Sequence, residues 1–372
     1  MRVAMVLAKS QMGGTLNLAG KWAETLVHNG HSVSIWTIWK PASGSGFRPG
    51  IEQLDSVADQ VVGLDYGGKR DFLRTVGRLR LDLKKFRPDV VHSYFPFAEL
   101  IARSATAGVP LPHVGTIVSV ALAPLPALGS RPIPTVSGNV GWIAIGESVR
   151  MAALQAGYRP DRLRVVYPGF NVPNSFGRDL GSNSWITRAR LGRPASKFVL
   201  SAGRLVASKR VDVLIEAMMH LPSSFELVIA GDGPERERLE RLANGLGISE
   251  RIHFLGEQAD ITSLQVSADV SASATEAEGL VGYATLEAAA VGTPIVVSRI
   301  PSVTELMSDN EAVLVSGADP SAYASGIRDA IDPGNSRPEA ARALIAKAFE
   351  RDVIADQLAE AYHAWWSPRR LG

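Results

Sequence analysis

Apolar runs alternate along this chain with stretches in which apolar residues recur every three or four positions. The first run, residues 2–8, is rich in aliphatic side chains and predicts a strand that is buried on both faces. A glycine turn follows, and a helix is then predicted by apolar residues four positions apart, Leu18, Trp22 and Leu26. Residues 31–36 predict a second strand. Together these elements form a βαβ unit, the building block of parallel sheets.

The same alternation continues through both halves of the chain. In the first half, further strands are predicted at residues 88–92, 113–117 and 141–145. In the second half, strands are predicted at 198–202, 225–230, 252–255, 270–274 and 294–298, with helices at 209–220, 235–246 and 283–291. The predicted fold class is therefore α/β, with two Rossmann-like, doubly wound parallel-sheet domains that face a cleft.

A polar segment rich in turn residues separates the two series of strands, as is typical of a linker between domains. Near the end of the chain, apolar residues at helical spacing predict a helix that packs back on the domains. We therefore expect a first domain over residues 1–170, a linker over 171–197, a second domain over 198–349 and a C-terminal helix within 350–372.

Composition narrows the class of protein further. The 372 residues are 46% hydrophobic and 20% charged, which is ordinary globular usage and excludes a disordered, coiled-coil or collagen-like chain. The chain has no cysteine, which excludes disulfides, thiolate nucleophiles and metal sites built on cysteine. No apolar run reaches ~18 residues, so we expect no membrane-spanning helix and a cytoplasmic location.

The net charge of +2 conceals a difference between the two halves. Residues 1–170 contain 19 Lys and Arg against 11 Asp and Glu, whereas residues 171–372 contain 20 against 26. A basic first half is compatible with an acidic lipid or a phosphorylated substrate, although surface charge alone identifies neither.

A basic loop follows the first predicted strand of the second domain. Gly203, Arg204 and Lys209 lie between the end of that strand and the start of a helix. A helix N-terminus favours anions, Arg204 can donate two parallel hydrogen bonds, and Lys209 supplies a point charge, so this loop suits a phosphate group. The alternative is a solvated basic loop.

Two glycines, Gly231 and Gly233, follow the next predicted strand and precede a helix. Glycine at such a turn lets a ligand approach the backbone closely, but an αβ turn also needs glycine for purely local reasons. Both interpretations remain open from the sequence.

An acidic loop broken by glycines leads into the helix predicted at 283–291. Glu276, Glu278 and Glu287 could accept hydrogen bonds from sugar and ribose hydroxyls, and the backbone amides of residues 281–283 could face a phosphate. The alternative is that these carboxylates are simply solvated, as most are.

Several short motifs occur in order along almost the whole chain. They are Gly13-Gly14, Gly30-His31-Ser32-Val33, Pro88-Asp89-Val90-Val91-His92, Gly203-Arg204-Leu205 with Lys209, Gly231-Asp232-Gly233-Pro234, Phe254-Leu255-Gly256, Glu278-Gly279, Leu286-Glu287-Ala288 and Gly292-Thr293-Pro294-Ile295-Val296. In order and spacing they resemble the family-4 retaining glycosyltransferases of the GT-B fold, also called glycosyltransferase group 1.

The resemblance implies a nucleotide-sugar donor bound mainly by the second domain, an acceptor bound by the first, and no metal or other cofactor. Arg204 and Lys209 would bind the donor diphosphate and stabilise the leaving group, and Glu278 would act near the donor sugar. Further donor contacts are expected from Gly13, Gly14, Gly203, Gly231, Gly233, Glu276, Gly279, Val281, Gly282, Tyr283 and Glu287.

Two features depart from the family pattern. The family usually has seven residues between its two glutamates, whereas eight lie between Glu278 and Glu287. Either the loop bulges by one residue, or Gly279 occupies the position of the first carboxylate and Glu276 or Glu278 reaches the sugar instead. A histidine that many members carry after the strand at 113–117 is replaced by Val118, and His113 is expected to be a core or supporting residue.

The expected activity is retaining, metal-independent transfer of a hexosyl or N-acetylhexosaminyl group from a nucleoside diphosphate sugar, with UDP favoured. The acceptor is expected to be a hydroxyl of a small molecule or of a glycan or lipid precursor. The alternatives are a glycoside phosphorylase or epimerase on the same fold, and a non-catalytic nucleotide-sugar binding protein. Neither first strand is followed by the Gly-x-Gly-x-x-Gly pattern of a dinucleotide dehydrogenase.

Two segments of the first domain concern partners. Residues 69–87 predict a helix with an apolar stripe and a basic outer face, which covers the sheet and would also allow a weak peripheral contact with an anionic membrane. The proline-rich residues 121–137 are a candidate acceptor loop or, equally, surface padding. Aromatic residues interleaved for base stacking are lacking, so nucleic acid is not an expected partner. The oligomeric state cannot be read from the sequence.

Overall fold

The computed structural model describes residues 1–8, 14–39, 54–120, 140–169, 196–258 and 260–365. The chain divides into two compact units, which we call unit 1 (Met1–Phe170 with Phe349–Gly372) and unit 2 (Asn171–Ala348). The candidate acceptor loop at 121–137 and most of the predicted linker lie outside the described residues.

Unit 1 contains a seven-stranded sheet in the order β3-β2-β1-β4-β5-β6-β7, and every pair of neighbouring strands is parallel. Its strands are β1 (Arg2–Leu7), β2 (Ser32–Trp39), β3 (Gln60–Tyr66), β4 (Val90–Tyr94), β5 (His113–Ile117), β6 (Val140–Ala144) and β7 (Leu163–Val165). Its helices before the linker are α1 (Gly14–His28), α2 (Phe72–Phe86), α3 (Pro96–Ala105) and α4 (Glu147–Gln155).

Unit 2 contains a six-stranded parallel sheet in the order β10-β9-β8-β11-β12-β13. Its strands are β8 (Lys197–Ala202), β9 (Phe225–Ala230), β10 (Ile252–Gly256), β11 (Val270–Ser273), β12 (Ile295–Ser298) and β13 (Val313–Val315). Its helices are α5 (Val211–Ala217), α6 (Arg236–Gly245), α7 (Ile261–Ser267), α8 (Tyr283–Val291), α9 (Pro301–Thr304), α10 (Pro320–Ala330) and α11 (Arg337–Ala348).

The C-terminal helix α12 (Arg351–Trp365) packs on unit 1. The Tyr362 hydroxyl lies 2.9 Å from His92 Nδ1 in the core of that unit. The Trp365 ring lies directly against Gly141, where a Cβ atom would overlap it. The last described helix therefore packs against the unit that contains the first strand.

The central strands are continuous apolar runs in the sequence because they are buried in the core of each unit. Strand β1 is buried from Val3 to Leu7, and every residue of β9 is buried. A parallel sheet that is covered on both faces needs apolar side chains on both sides of each central strand. His113 is also buried, and burial lowers its pKa to about 3, which confirms it as a core residue.

The structure confirms the predicted α/β class, with two Rossmann-like parallel sheets. Among the described elements, the sequence analysis did not predict the strands β3, β7 and β13 or the helices α3, α4, α7, α9, α10 and α11. The helix predicted at 209–220 is shorter: α5 begins at Val211, and residues 218–220 form a tighter 3₁₀ turn. Among the described helices, none is both long and apolar enough to cross a bilayer.

Candidate functional site

Three loops of unit 2 leave the same edge of the sheet. Strand β8 lies between β9 and β11, and because all three are parallel their carboxyl ends meet at that edge. Backbone hydrogen bonds join the loops: Leu205 N donates to Asp232 O (2.9 Å), and Glu276 N donates to Ser208 O (3.0 Å). The segments that carry the predicted donor residues thus form one hydrogen-bonded platform.

The glycines of this platform are required by backbone packing. Gly203 and Gly231 have φ angles of 147° and 149°, a region that residues with a side chain rarely adopt. A Cβ atom on Gly231 would overlap the carbonyl oxygen of Gly203, and one on Gly233 would overlap that of Leu205. The close approach is therefore between two loops of the protein, and a contact of Gly231 or Gly233 with a donor stays a prediction.

The centre of the platform is an ion pair between Lys209 and Glu278. Both side chains are largely buried, and burial lowers the pKa of Lys209 to about 8. The Glu278 carboxylate also lies against Gly282, where a Cβ atom would stand 2.9 Å from Oε2. Gly282 immediately precedes α8, so this carboxylate occupies the electropositive start of that helix.

Glu276 occupies a different place, although it lies only two residues away. Its side chain is 55% exposed and pairs with Arg210. Of the two carboxylates that the sequence left open, Glu278 is the one beside Lys209. A contact of Glu278 with the donor sugar stays a prediction.

Arg204 supplies a second cation at the same edge of the sheet. It follows Gly203 directly after β8, and its side chain is exposed. Within the described parts of the chain, its guanidinium makes neither an ion pair nor a hydrogen bond. A cation in this state is available to a ligand without first breaking an internal contact.

The residues that lead into α8, and the first residue of that helix, are further predicted donor contacts. Val281 is buried, so only its backbone can face a ligand. Gly282 offers no side chain to cap the helix. Burial raises the pKa of the Tyr283 hydroxyl well above its usual range, and the charge of Glu287 adds to the shift. Tyr283 is therefore a neutral hydroxyl at any physiological pH.

The two glycines predicted in the first domain cannot be assigned to this platform. Gly14 is the first residue of α1 in unit 1, and Gly13 lies outside the described residues. Their approach to a donor stays a prediction.

Arg210, which the sequence analysis did not single out, also belongs to this platform. It holds Glu276 and lies 3.2 Å from Asp212, measured from Nε to Oδ1. The adjacent pair Lys209-Arg210 was visible in the sequence, but nothing in it indicated that the two side chains bind different carboxylates.

Comparison with known proteins places this chain in a family. The family model described as Glycosyltransferase Family 4 matches residues 12–173, and the model described as Glycosyl transferases group 1 matches residues 183–351. A D-inositol 3-phosphate glycosyltransferase of Acidothermus cellulolyticus is 32% identical over 314 residues, which cover 76% of this chain and 68% of the relative.

Two further proteins extend the comparison. A GDP-mannose-dependent alpha-(1-6)-phosphatidylinositol dimannoside mannosyltransferase of Mycobacterium tuberculosis is 35% identical over 163 residues, 43% of this chain and 41% of that protein. A solved structure of Anabaena HepE in complex with UDP-glucose superposes with a TM-score of 0.82 at 21% identity, covering 98% of this chain and all of that one.

The two parallel-sheet units have the GT-B fold, and the matched family models identify the chain as a glycosyltransferase. The chain belongs to the family-4 glycosyltransferases, group 1.

Proposed function

We propose that the chain transfers a hexosyl or N-acetylhexosaminyl group from a nucleoside diphosphate sugar to an acceptor hydroxyl, with retention of configuration and without a metal ion. The observation that carries this proposal is the partly buried Lys209–Glu278 pair, together with the exposed Arg204, which follows β8 at the same edge of the sheet and has no ionic partner among the described residues. Two cations and one carboxylate at a single sheet edge match the charges of a donor diphosphate and the hydroxyls of its sugar.

Arg204 and Lys209 would hold the diphosphate. Negative charge grows on the leaving phosphate as the bond to the sugar breaks, and fixed cations aimed at that charge stabilise the transition state. In many transferases a divalent ion does this work. Here two side chains can supply it, which supports a metal-independent reaction.

Glu278 would accept hydrogen bonds from hydroxyls of the transferred sugar, while Glu287 accepts from the ribose. When a diphosphate arrives, Lys209 gains a second anionic partner, and Glu278 can then turn toward the sugar. Glu276 is held by Arg210, so we assign it no contact with the donor.

The identity of the donor and acceptor rests on similarity. The solved HepE structure contains UDP-glucose, which supports a UDP-sugar as the donor. The mannosyltransferase relative is GDP-mannose-dependent, which supports a GDP-sugar as the second choice. The inositol-phosphate relative supports a phosphorylated small-molecule acceptor, which also suits the basic first half of the chain. A glycan or lipid precursor remains the other acceptor class.

Helix α2 supports a weak peripheral contact with an anionic membrane. Leu79, Leu83 and Phe86 are buried against the sheet, as expected of a structural helix. The outer face, however, exposes Leu73 by 80% and Leu81 by 61% among its basic residues. Exposed leucines between cations are suited to the interface of an anionic bilayer.

The transfer activity itself is tested with Arg204→Ala and Lys209→Ala. We expect each variant to lower turnover by ~100-fold, because each removes one group that stabilises the leaving diphosphate. The measurement is transfer from UDP-glucose and GDP-mannose to D-inositol 3-phosphate, in EDTA and in Mg²⁺, with the product anomer read by NMR. Arg241→Ala, an exposed change on α6, is the matched control and should leave turnover unchanged. Full turnover in both test variants, or an inverted product, would contradict the assigned roles.

Binding of the diphosphate should weaken as the pH rises above about 8. Lys209 attracts the anion only in its protonated form. Because its pKa is about 8 in the unliganded protein, binding at higher pH requires that Lys209 first take up a proton. Calorimetric titration with UDP between pH 7 and 9.5 should show a loss approaching ~10-fold per pH unit well above the pKa. Lys209→Arg keeps its charge throughout and controls for ionisation of the nucleotide. Equal pH profiles in both proteins would refute the role of Lys209.

Membrane contact is tested by co-sedimentation with vesicles. We expect binding to vesicles of phosphatidylcholine and phosphatidylglycerol at low salt, reduced binding at high salt because screening weakens the attraction, and none to phosphatidylcholine alone. The double variant Leu73→Ser/Leu81→Ser should bind less, without loss of thermal stability, since both side chains are exposed. Equal sedimentation with the two kinds of vesicle would rule out the contact.

A further inference from the structure

The two adjacent cations Lys209 and Arg210 hold two carboxylates that lie two residues apart. Lys209 binds Glu278, and Arg210 binds Glu276 through Nη1. A third contact, the hydrogen bond from Glu276 N to Ser208 O, joins the same two segments. Residues 208–210 and 276–278 are thus fastened to each other at three points.

The backbone of Arg210 has an unusual conformation. Arg210 has φ 46° and ψ 44°, a left-handed conformation that is unfavourable for any residue with a side chain and usual for glycine. It stands between the 3₁₀ turn at Ala207–Lys209 and the first turn of α5. A strained backbone conformation of this kind persists only where contacts of the residue hold it in place, and here those contacts come from the side chain.

The side chain of Arg210 is fixed from two sides. Its Nε lies 3.2 Å and 3.4 Å from the two carboxylate oxygens of Asp212, while its Nη1 reaches Glu276. Asp212 belongs to the first turn of α5, so Arg210 connects that helix to the loop that follows β11. The loop is thereby anchored to a rigid element.

This loop is the one that contains one residue more than the family spacing. The additional residue gives the segment between β11 and α8 more ways to place Glu278. We infer that Arg210 is a positioning residue which, by holding Glu276, fixes the lengthened loop so that Glu278 faces Lys209 and the donor sugar. The inference rests on the proposed transferase function.

The exposure of the pair distinguishes positioning from stabilisation. Glu276 is 55% exposed, and exposed ion pairs contribute little to the stability of a fold. Breaking the pair should therefore change the reaction far more than it changes the melting temperature.

The test uses Glu276→Ala and Arg210→Gly in the full chain. We expect kcat for sugar transfer to fall by ~10-fold in each, as for a misplaced catalytic group, with the dissociation constant of UDP changed less than ~2-fold because Arg204 and Lys209 remain. Arg210→Gly should leave the melting temperature nearly unchanged, because relief of the left-handed backbone offsets the loss of the contacts with Asp212 and Glu276. Arg210→Lys, which keeps the charge, should restore part of kcat.

Matched controls and contrary outcomes are available within unit 2. Arg241→Ala removes another exposed ion pair, that with Glu237 on α6, and should change neither kcat nor UDP affinity. Unchanged kcat in Glu276→Ala and Arg210→Gly would overturn the positioning role while leaving the transferase function intact. Loss of UDP affinity in step with kcat would overturn it in favour of a general structural role. An inactive wild-type chain that binds no nucleotide would instead overturn the proposed function, and the positioning role with it.

Discussion

The pairing of Lys209 with Glu278 is the interaction on which the candidate site depends. It joins a loop that follows β8 to a loop that follows β11, at the start of α8. A partly buried cation and anion stabilise each other only while both are present, because removing one leaves the other without its partner. The pair therefore holds the loop after β8 against the loop after β11, and in the proposed function it keeps a cation ready for an incoming phosphate.

The parallel sheet makes this pairing possible. Strands β8 and β11 are neighbours in space although 67 residues separate the end of the first from the start of the second. The crossing chain between them adds β9 and β10 on the far side of β8, and the glycine turn after β9 packs on the loop after β8. Gly231 and Gly233 thus let the backbone of the turn after β9 touch the loop after β8, which carries Arg204 and Lys209.

Much of this arrangement could be predicted from the sequence, and the features that could not be predicted were missed for physical reasons. The central strands could be located because burial on both faces demands continuous apolar runs. Strand β3 was not predicted because Gln60, Gly63 and Asp65 interrupt its apolar residues. Strands β7 and β13 were not predicted because each has only three residues. Arg204, Lys209 and Glu278 could be named from motif order, but the contact between Lys209 and Glu278 depends on tertiary pairing. The role of Arg210 depends on a backbone angle, which a residue type does not reveal.

The central claim is that unit 2 binds a nucleoside diphosphate through side-chain cations. Calorimetric titration of the intact chain with UDP, GDP, ADP and dTDP, each in EDTA and again in Mg²⁺, tests it most directly. We predict that one of these diphosphates binds in EDTA with an affinity that Mg²⁺ leaves essentially unchanged. Binding that appears only in Mg²⁺, or no binding of any of the four, would contradict it.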